Sequence, residues 1–206
     1  MTAMSAIEAY SARAREYADL LGSLETMAPQ DRECIETWAS EVEGPLLDLG
    51  CGPGHWTAHL ASLGHDAHGA DPVPAFVEIA RRAHPGVPYG LGSFEELPHR
   101  VEGWGGLLVW YSLIHLEPRQ VPAVLEDLHR ALRPGGRLLL GFFDGPREES
   151  FEHAVATARF WPSARMEALL ERAGFEIVGR RARHDPGARP HAALHARRPR
   201  ATRHRA

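Results

Sequence analysis

Short apolar runs alternate with amphipathic stretches from residue 45 to residue 143, and few architectures accommodate that pattern. Pro45-Leu46-Leu47-Asp48-Leu49 is an apolar run stopped by glycines, after which Trp56 to Leu63 returns to helical spacing. His65 to Ala70 then reads as a strand, Val73 to Ala83 as a helix and Val87 to Leu91 as a strand, followed by a short turn with Phe94 to Leu97. Gly106 to Tyr111 is the most apolar run; helix Gln120 to Leu132, the turn Arg133-Pro134-Gly135-Gly136 and strand Arg137 to Phe143 follow it. Strands that are apolar throughout, between amphipathic helices, predict a parallel sheet covered on both faces: an α/β, doubly wound, Rossmann-like fold.

The flanks complete the pattern. Residues 5 to 21 and 31 to 40 carry helix formers with apolar spacing, and Ser5 or Gln30 with Asp31 can start them. Beyond the alternating part, Ser163 to Ala173 reads as a helix. Phe175 to Arg183 and His191 to Arg197 alternate apolar and polar residues across a Pro-Gly loop, which predicts a closing antiparallel hairpin. We therefore expect one domain over residues 1–198, with a helical cap over 1–41 and a basic, disordered tail over 199–206.

Composition narrows the function. The chain's 206 residues are 44% hydrophobic and 24% charged, an ordinary globular balance. No run approaches the roughly 18 apolar residues of a membrane span, and Glu8, Arg13, Arg15 and Glu16 stand where a signal peptide's apolar centre would lie; a cytoplasmic chain without a membrane partner is the expectation. Two cysteines, Cys34 and Cys51, supply neither a disulfide framework nor a zinc tetrad, which argues against a metal site. Every Lys/Arg position is arginine, so lysine Schiff-base and general-base mechanisms are excluded. From residue 180 onward there are nine arginines and one acid, Asp185, against a net charge of −4 for the whole. The body is acidic and repels phosphate, so only the terminal arginines offer nucleic acid a surface, and the balance argues against such a partner.

In a doubly wound sheet a ligand binds at the carboxyl ends of the strands, so the loop after the first strand decides the cofactor. That loop is Asp48-Leu49-Gly50-Cys51-Gly52-Pro53-Gly54. Its glycines permit a sharp turn and close backbone approach, and the following helix offers free N–H groups to negative charge. The spacing is G-x-G-x-G rather than the G-x-G-x-x-G of a dinucleotide fingerprint, and Asp48 would repel a pyrophosphate. A carboxylate there suits an ammonium, and S-adenosyl-L-methionine carries an α-ammonium, an α-carboxylate and no phosphate. The competing interpretation is a plain strand-to-helix turn with Asp48 as a cap. Asp71, at the end of the second strand, can accept both hydroxyls of a ribose, or can simply cap the helix beginning near Val73.

With these residues in view, the chain resembles the class I S-adenosylmethionine-dependent methyltransferases from about Tyr10 to about Arg197. The resemblance is carried by the Asp48–Gly54 loop, Asp71, Gly92-Ser93-Phe94-Glu95-Glu96-Leu97-Pro98, Trp110-Tyr111-Ser112-Leu113-Ile114-His115 and Leu132-Arg133-Pro134-Gly135-Gly136. It implies a seven-stranded sheet with an antiparallel last strand, S-adenosyl-L-methionine as cofactor and a small-molecule acceptor. It places Asp48, Gly50 and Gly52 at the methionine moiety, Asp71 at the ribose and the Ser93-Phe94 turn at the adenine, and we count Cys51, Gly54, Pro72, Trp110 and Tyr111 among the cofactor-binding residues. Tyr10 and Tyr17 match positions where such enzymes close over the cofactor. The chain departs from the family in having Ser93 where many members have Asp, which points to weaker or backbone-based adenine recognition. Phe94 can stack on adenine or serve as core.

Methyl transfer needs alignment more than strong acid–base chemistry. His115 is the candidate base for an acceptor at oxygen or nitrogen, with a structural histidine as the alternative. The absence of N-P-P-Y in its segment argues against DNA adenine methylation, and Cys51 lacks the preceding proline of a C5-pyrimidine nucleophile. Asp144 to Trp161, with Phe151, His153, Phe160 and Trp161, has the composition of a lid or of a surface helix with an aromatic anchor. Two rivals stay open: an NAD(P)-dependent oxidoreductase, and an S-adenosylmethionine-binding module without turnover.

Overall fold

The computed structural model describes residues 6–24, 27–97 and 103–200. Ser5, Pro98 and most of the 199–206 tail lie outside these described residues. Two helices lead, α1 (Ala6–Leu21) and α2 (Pro29–Ser40). Strands β1 (Leu46–Leu49), β2 (Ala67–Asp71), β3 (Tyr89–Leu91), β4 (Trp104–Trp110) and β5 (Leu132–Asp144) alternate with α3 (His55–Ser62), α4 (Pro74–Ala83) and α5 (Val121–Ala131). A short hairpin, β6 (Glu149–Phe151) and β7 (Ala158–Trp161), then leads to α6 (Ser163–Arg172) and a closing pair, β8 (Glu176–Arg183) and β9 (His191–Arg197).

The first five strands pair in parallel in the order β3-β2-β1-β4-β5. β9 runs antiparallel along β5 from Arg197 at Arg137 to His191 at Phe143, and β8 pairs antiparallel outside it. The main sheet thus has the seven strands and the reversed final strand expected. The β6–β7 hairpin is an addition: β7 joins β5 only at Phe143 and Asp144, beyond the point where Trp110 ends the pairing with β4. The segment 144–161 is therefore a strand pair, not a helix.

Alternation along the parallel strands divides the core in two. Leu47, Leu49, Leu107, Val109, Leu138 and Leu140 face α5 and α6, where Leu125, Leu128, Met166 and Leu170 are buried. Leu46, Leu108 and Leu139 face the other way, against Ile35 and Trp38 of α2 and Trp56 and Leu60 of α3. Each fully buried leucine contributes about 1.5–3 kcal/mol relative to exposure, so a one-residue slip of a central strand would exchange two packed faces. α2 starts at Pro29 after Ala28, which makes no side-chain cap bond, so the proposed Gln30–Asp31 start is displaced by the proline at the first turn. Asp31 instead pairs with Arg183 at 2.6 Å.

The basic end is largely committed to the fold. Arg180 pairs with Glu167 at 2.5 Å, Arg197 with Glu176, and Arg198 donates to the carbonyls of His129 and Leu132. No helix among the described residues is long and apolar enough to cross a membrane.

Candidate active site

The chain's order reverses between β1 and β4, and a cavity of about 370 Å³ opens at the carboxyl ends of β1, β2 and β4. Its floor is the loop after β1. Gly50 (φ +80°) and Gly52 (φ +53°) both hold left-handed conformations, for different reasons. A Cβ on Gly50 would stand 2.3 Å from the Ser112 Cβ, so Gly50 lets the β1 and β4 loops touch; a Cβ on Gly52 would meet nothing within 4 Å. Gly52 therefore leaves bare backbone beside open space.

Asp71 ends β2 at the cavity edge with both oxygens engaged: Oδ2 accepts the Gly52 N–H and Oδ1 the Val73 N–H, each at 2.8 Å. It thus pins the glycine loop and ties down the residue that leads into α4. Burial raises its carboxyl to about 6, opposed by those two N–H donors.

Asp48 is not on the cavity wall. Strand alternation turns it to the α3 face, opposite Leu47 and Leu49, where it is 2% exposed and accepts a 2.7 Å bond from the Thr57 Oγ1 hydroxyl. Burial raises its carboxyl to about 7, with Asp71 adding to the rise and Thr57 opposing it. In this arrangement the Asp48 carboxyl lies behind the loop rather than on the cavity wall. Cys51 and Gly54 also lie off the wall: Cys51 packs with Val77, Ala80 and Tyr89, its thiol pushed up by burial, and a Cβ on Gly54 would strike the Tyr89 ring. These two serve packing of the loop and α3 against α4 and β3.

The remaining expected residues do line the cavity. α1 lies over α4, with Tyr10 and Tyr17 5.4 Å apart edge-on and both packed on Phe76. Pro72 lines the same edge. Ser93 Oγ accepts the N–H groups of Glu95 and Glu96, so the hydroxyl stabilises its own turn and keeps its hydrogen for another acceptor. Phe94 lines the cavity and also packs on the main core. Trp110 and Tyr111 form the far wall, their rings edge-on at 5.3 Å, where the missing Cβ of Gly141 leaves room for the indole. Tyr111 has φ +56°, a strained value for a bulky residue, and its hydroxyl bonds His191 Nδ1 at 2.5 Å. It separates this cavity from a second of about 210 Å³ between α2 and the β8–β9 hairpin.

His115 closes a 3-10 turn after β4. Its Nδ1 is 2.8 Å from the Thr157 carbonyl and its Nε2 3.1 Å from the Tyr10 hydroxyl. Burial holds its pKa below the ordinary histidine value. Sequence reasoning missed Phe76, Ser112 and Gln120 as wall residues. Ser112 stood inside a quoted segment; Phe76 shows only the apolar period of α4. Among the described residues that line the cavity there is no arginine, while two carboxylates, Asp71 and Glu95, are present. No cluster of three or more metal-ligating side chains occurs among the described residues.

A family model described as a methyltransferase domain matches residues 46–136. An uncharacterized methyltransferase of Mycobacterium tuberculosis (strain ATCC 25618 / H37Rv) is 37% identical over 106 residues, 52% of this chain and 42% of that protein, so the match spans less than half of the relative. One of Synechocystis sp. (strain ATCC 27184 / PCC 6803 / Kazusa) is 29% identical over 153 residues, 70% of this chain and 72% of that protein. Among solved structures, a 1,6-didemethyltoxoflavin-N1-methyltransferase of Burkholderia thailandensis, bound to 1,6-didemethyltoxoflavin and S-adenosylhomocysteine, superposes with a TM-score of 0.69 at 20% identity, covering 97% of this chain and 92% of that one.

Proposed function

We propose that this chain is a class I S-adenosylmethionine-dependent methyltransferase that moves a methyl group to oxygen or nitrogen of a small organic acceptor. The observation that carries this over the NAD(P) rival is the charge of the cavity wall: among the described residues it presents the acids Asp71 and Glu95 and no arginine, which suits a sulfonium and an ammonium and opposes a pyrophosphate. Asp71 fits a ribose diol, because each of its oxygens keeps acceptor capacity after bonding one backbone N–H. Gly52 fits the close approach of a methionine moiety, since no side chain fills the space beside it. Asp48 acts from behind the loop by its charge rather than by contact. When bound, S-adenosyl-L-methionine supplies an activated methyl on a sulfonium. Tyr10, Tyr17, Trp110 and Tyr111 exclude water around it, and a desolvated site strengthens each polar contact inside.

Calorimetric titration with S-adenosylhomocysteine tests the reading. The wild-type chain is expected to bind it and to give no heat with NAD or NADP. Asp71→Asn puts an amide N–H where one of two backbone N–H groups needs an acceptor, and a lost hydrogen bond to a charged group costs about 1.5–3 kcal/mol, so affinity should fall roughly 10- to 100-fold. Heat with a nicotinamide cofactor and none with S-adenosylhomocysteine would reverse the assignment.

A further inference from the structure

The bonds of His115 determine where its hydrogen sits. The Thr157 carbonyl can only accept, so Nδ1 carries the hydrogen, and in the neutral ring Nε2 presents a lone pair. The Tyr10 hydroxyl therefore donates to Nε2, at 3.1 Å, and its own oxygen still has acceptor capacity. Both side chains line the cavity. Three separate pieces of chain meet here: Tyr10 comes from the α1 cap, His115 from the turn after β4, and Thr157 from the run into β7.

Resting on the methyl-transfer reading of this site, we propose that Tyr10 is a catalytic residue whose phenolic oxygen takes the proton of an acceptor hydroxyl while its own hydrogen passes to His115 Nε2. The acceptors this arrangement selects are alcohols and phenols that arrive protonated, as opposed to carboxylates, which need no base. The balance is complete. As the acceptor oxygen bonds the methyl carbon, the carbon–sulfur pair returns to sulfur, leaving a neutral thioether; the acceptor's proton rests on Tyr10, and Tyr10's former hydrogen makes His115 an imidazolium that then loses it to solvent. Tyr10 never becomes a free phenolate, which accords with a phenol whose ionisation is opposed by burial and by the nearby Tyr17 and Asp71. Burial lowers the His115 pKa and so favours the neutral ring; of the titratable groups about it His153 is itself lowered by burial, while Arg159 of β7 is paired with Glu117 at 2.7 Å.

The test has two arms. In the full chain loaded with S-adenosylhomocysteine, ¹⁵N NMR of labelled histidine should show His115 as the Nδ1–H tautomer, and Tyr10→Phe should shift its Nε2 resonance; an Nε2–H tautomer, or no response to Tyr10→Phe, overturns the proposal without any acceptor being needed. In the second arm, methyl transfer to phenol is compared with transfer to 4-nitrophenol, which is largely ionised at pH 8. Tyr10→Phe and His115→Asn should slow phenol about 10²- to 10⁴-fold, and slow 4-nitrophenol at least tenfold less. The phenol rate of the wild type should level off above pH 6.5, and in His115→Asn it should keep rising with pH. Equal losses on both acceptors, or turnover of carboxylates alone, overturn the proposal and leave the methyltransferase reading intact; absence of S-adenosylhomocysteine binding by the wild type defeats that reading instead.

Discussion

Gly50→Ala is expected to melt roughly 5–15 °C below the wild type and to lose measurable binding of S-adenosylhomocysteine. Two costs combine. A left-handed backbone at φ +80° costs a residue with a Cβ about 1–2 kcal/mol, and the new atom would lie 2.3 Å from the Ser112 Cβ and 2.9 Å from its Oγ. Ser112 cannot swing aside freely, because its Oγ donates to the Leu49 carbonyl at 2.8 Å and so ties the β4 loop to the end of β1. Forcing a methyl into such a contact costs about 1–3 kcal/mol more. A sum of about 2–5 kcal/mol corresponds, at 2–4 °C per kcal/mol for a chain of this size, to the stated fall in Tm. The control is Gly52→Ala, which meets open space and so carries the backbone cost alone. Differential scanning calorimetry of the two variants decides the point: if Gly50→Ala melts no lower than Gly52→Ala, the Ser112 contact does not hold the loop.

The parallel sheet was legible because each of its elements is local. Leu46 to Leu49 is apolar but for Asp48, Gly106 to Trp110 and Leu138 to Phe143 carry no charge, and glycines punctuate these runs where the chain must turn. Asp48 shows the limit of reading a motif by spacing. Its distance from the glycines suggests contact with a ligand, yet the two-residue period of its own strand turns it away from the cavity; the period was in the sequence, but not which face α3 would cover. The β6–β7 hairpin left no signal, since strands of three and four residues carry too little periodicity to distinguish from a loop. The contact that orients His115 was equally invisible: Thr157 contributes a main-chain carbonyl, which any residue would supply. The arginines of the closing hairpin looked like a solvated basic end because their partners, Glu167 and Asp31, come from elements distant in sequence.

The acid behind the glycine loop should make this protein less stable as pH rises. Asp48 and Asp71 have unfolded-state values near 3.8, and burial raises them to about 7 and about 6 in the fold. Between those limits the folded chain binds more protons than the unfolded one, so their stabilising contribution is fully present below about pH 4 and is lost as pH passes through 6 and 7. Asp48→Asn keeps an oxygen for the Thr57 hydroxyl and carries no charge to desolvate. At pH 8 it is therefore expected to be more stable than the wild type by about 2–4 kcal/mol, or on the order of 10 °C in Tm, while at pH 4 the two should melt within a few degrees. Thermal melts at the two pH values measure it directly, and a variant no more stable than the wild type at pH 8 would mean that Asp48 is not carrying a desolvated charge. The same penalty has a functional side. A cationic ligand near the loop favours both ionised carboxyls, so binding of S-adenosyl-L-methionine should tighten as pH rises from 5 to 8, and Asp48→Asn should flatten that rise even as it strengthens the fold.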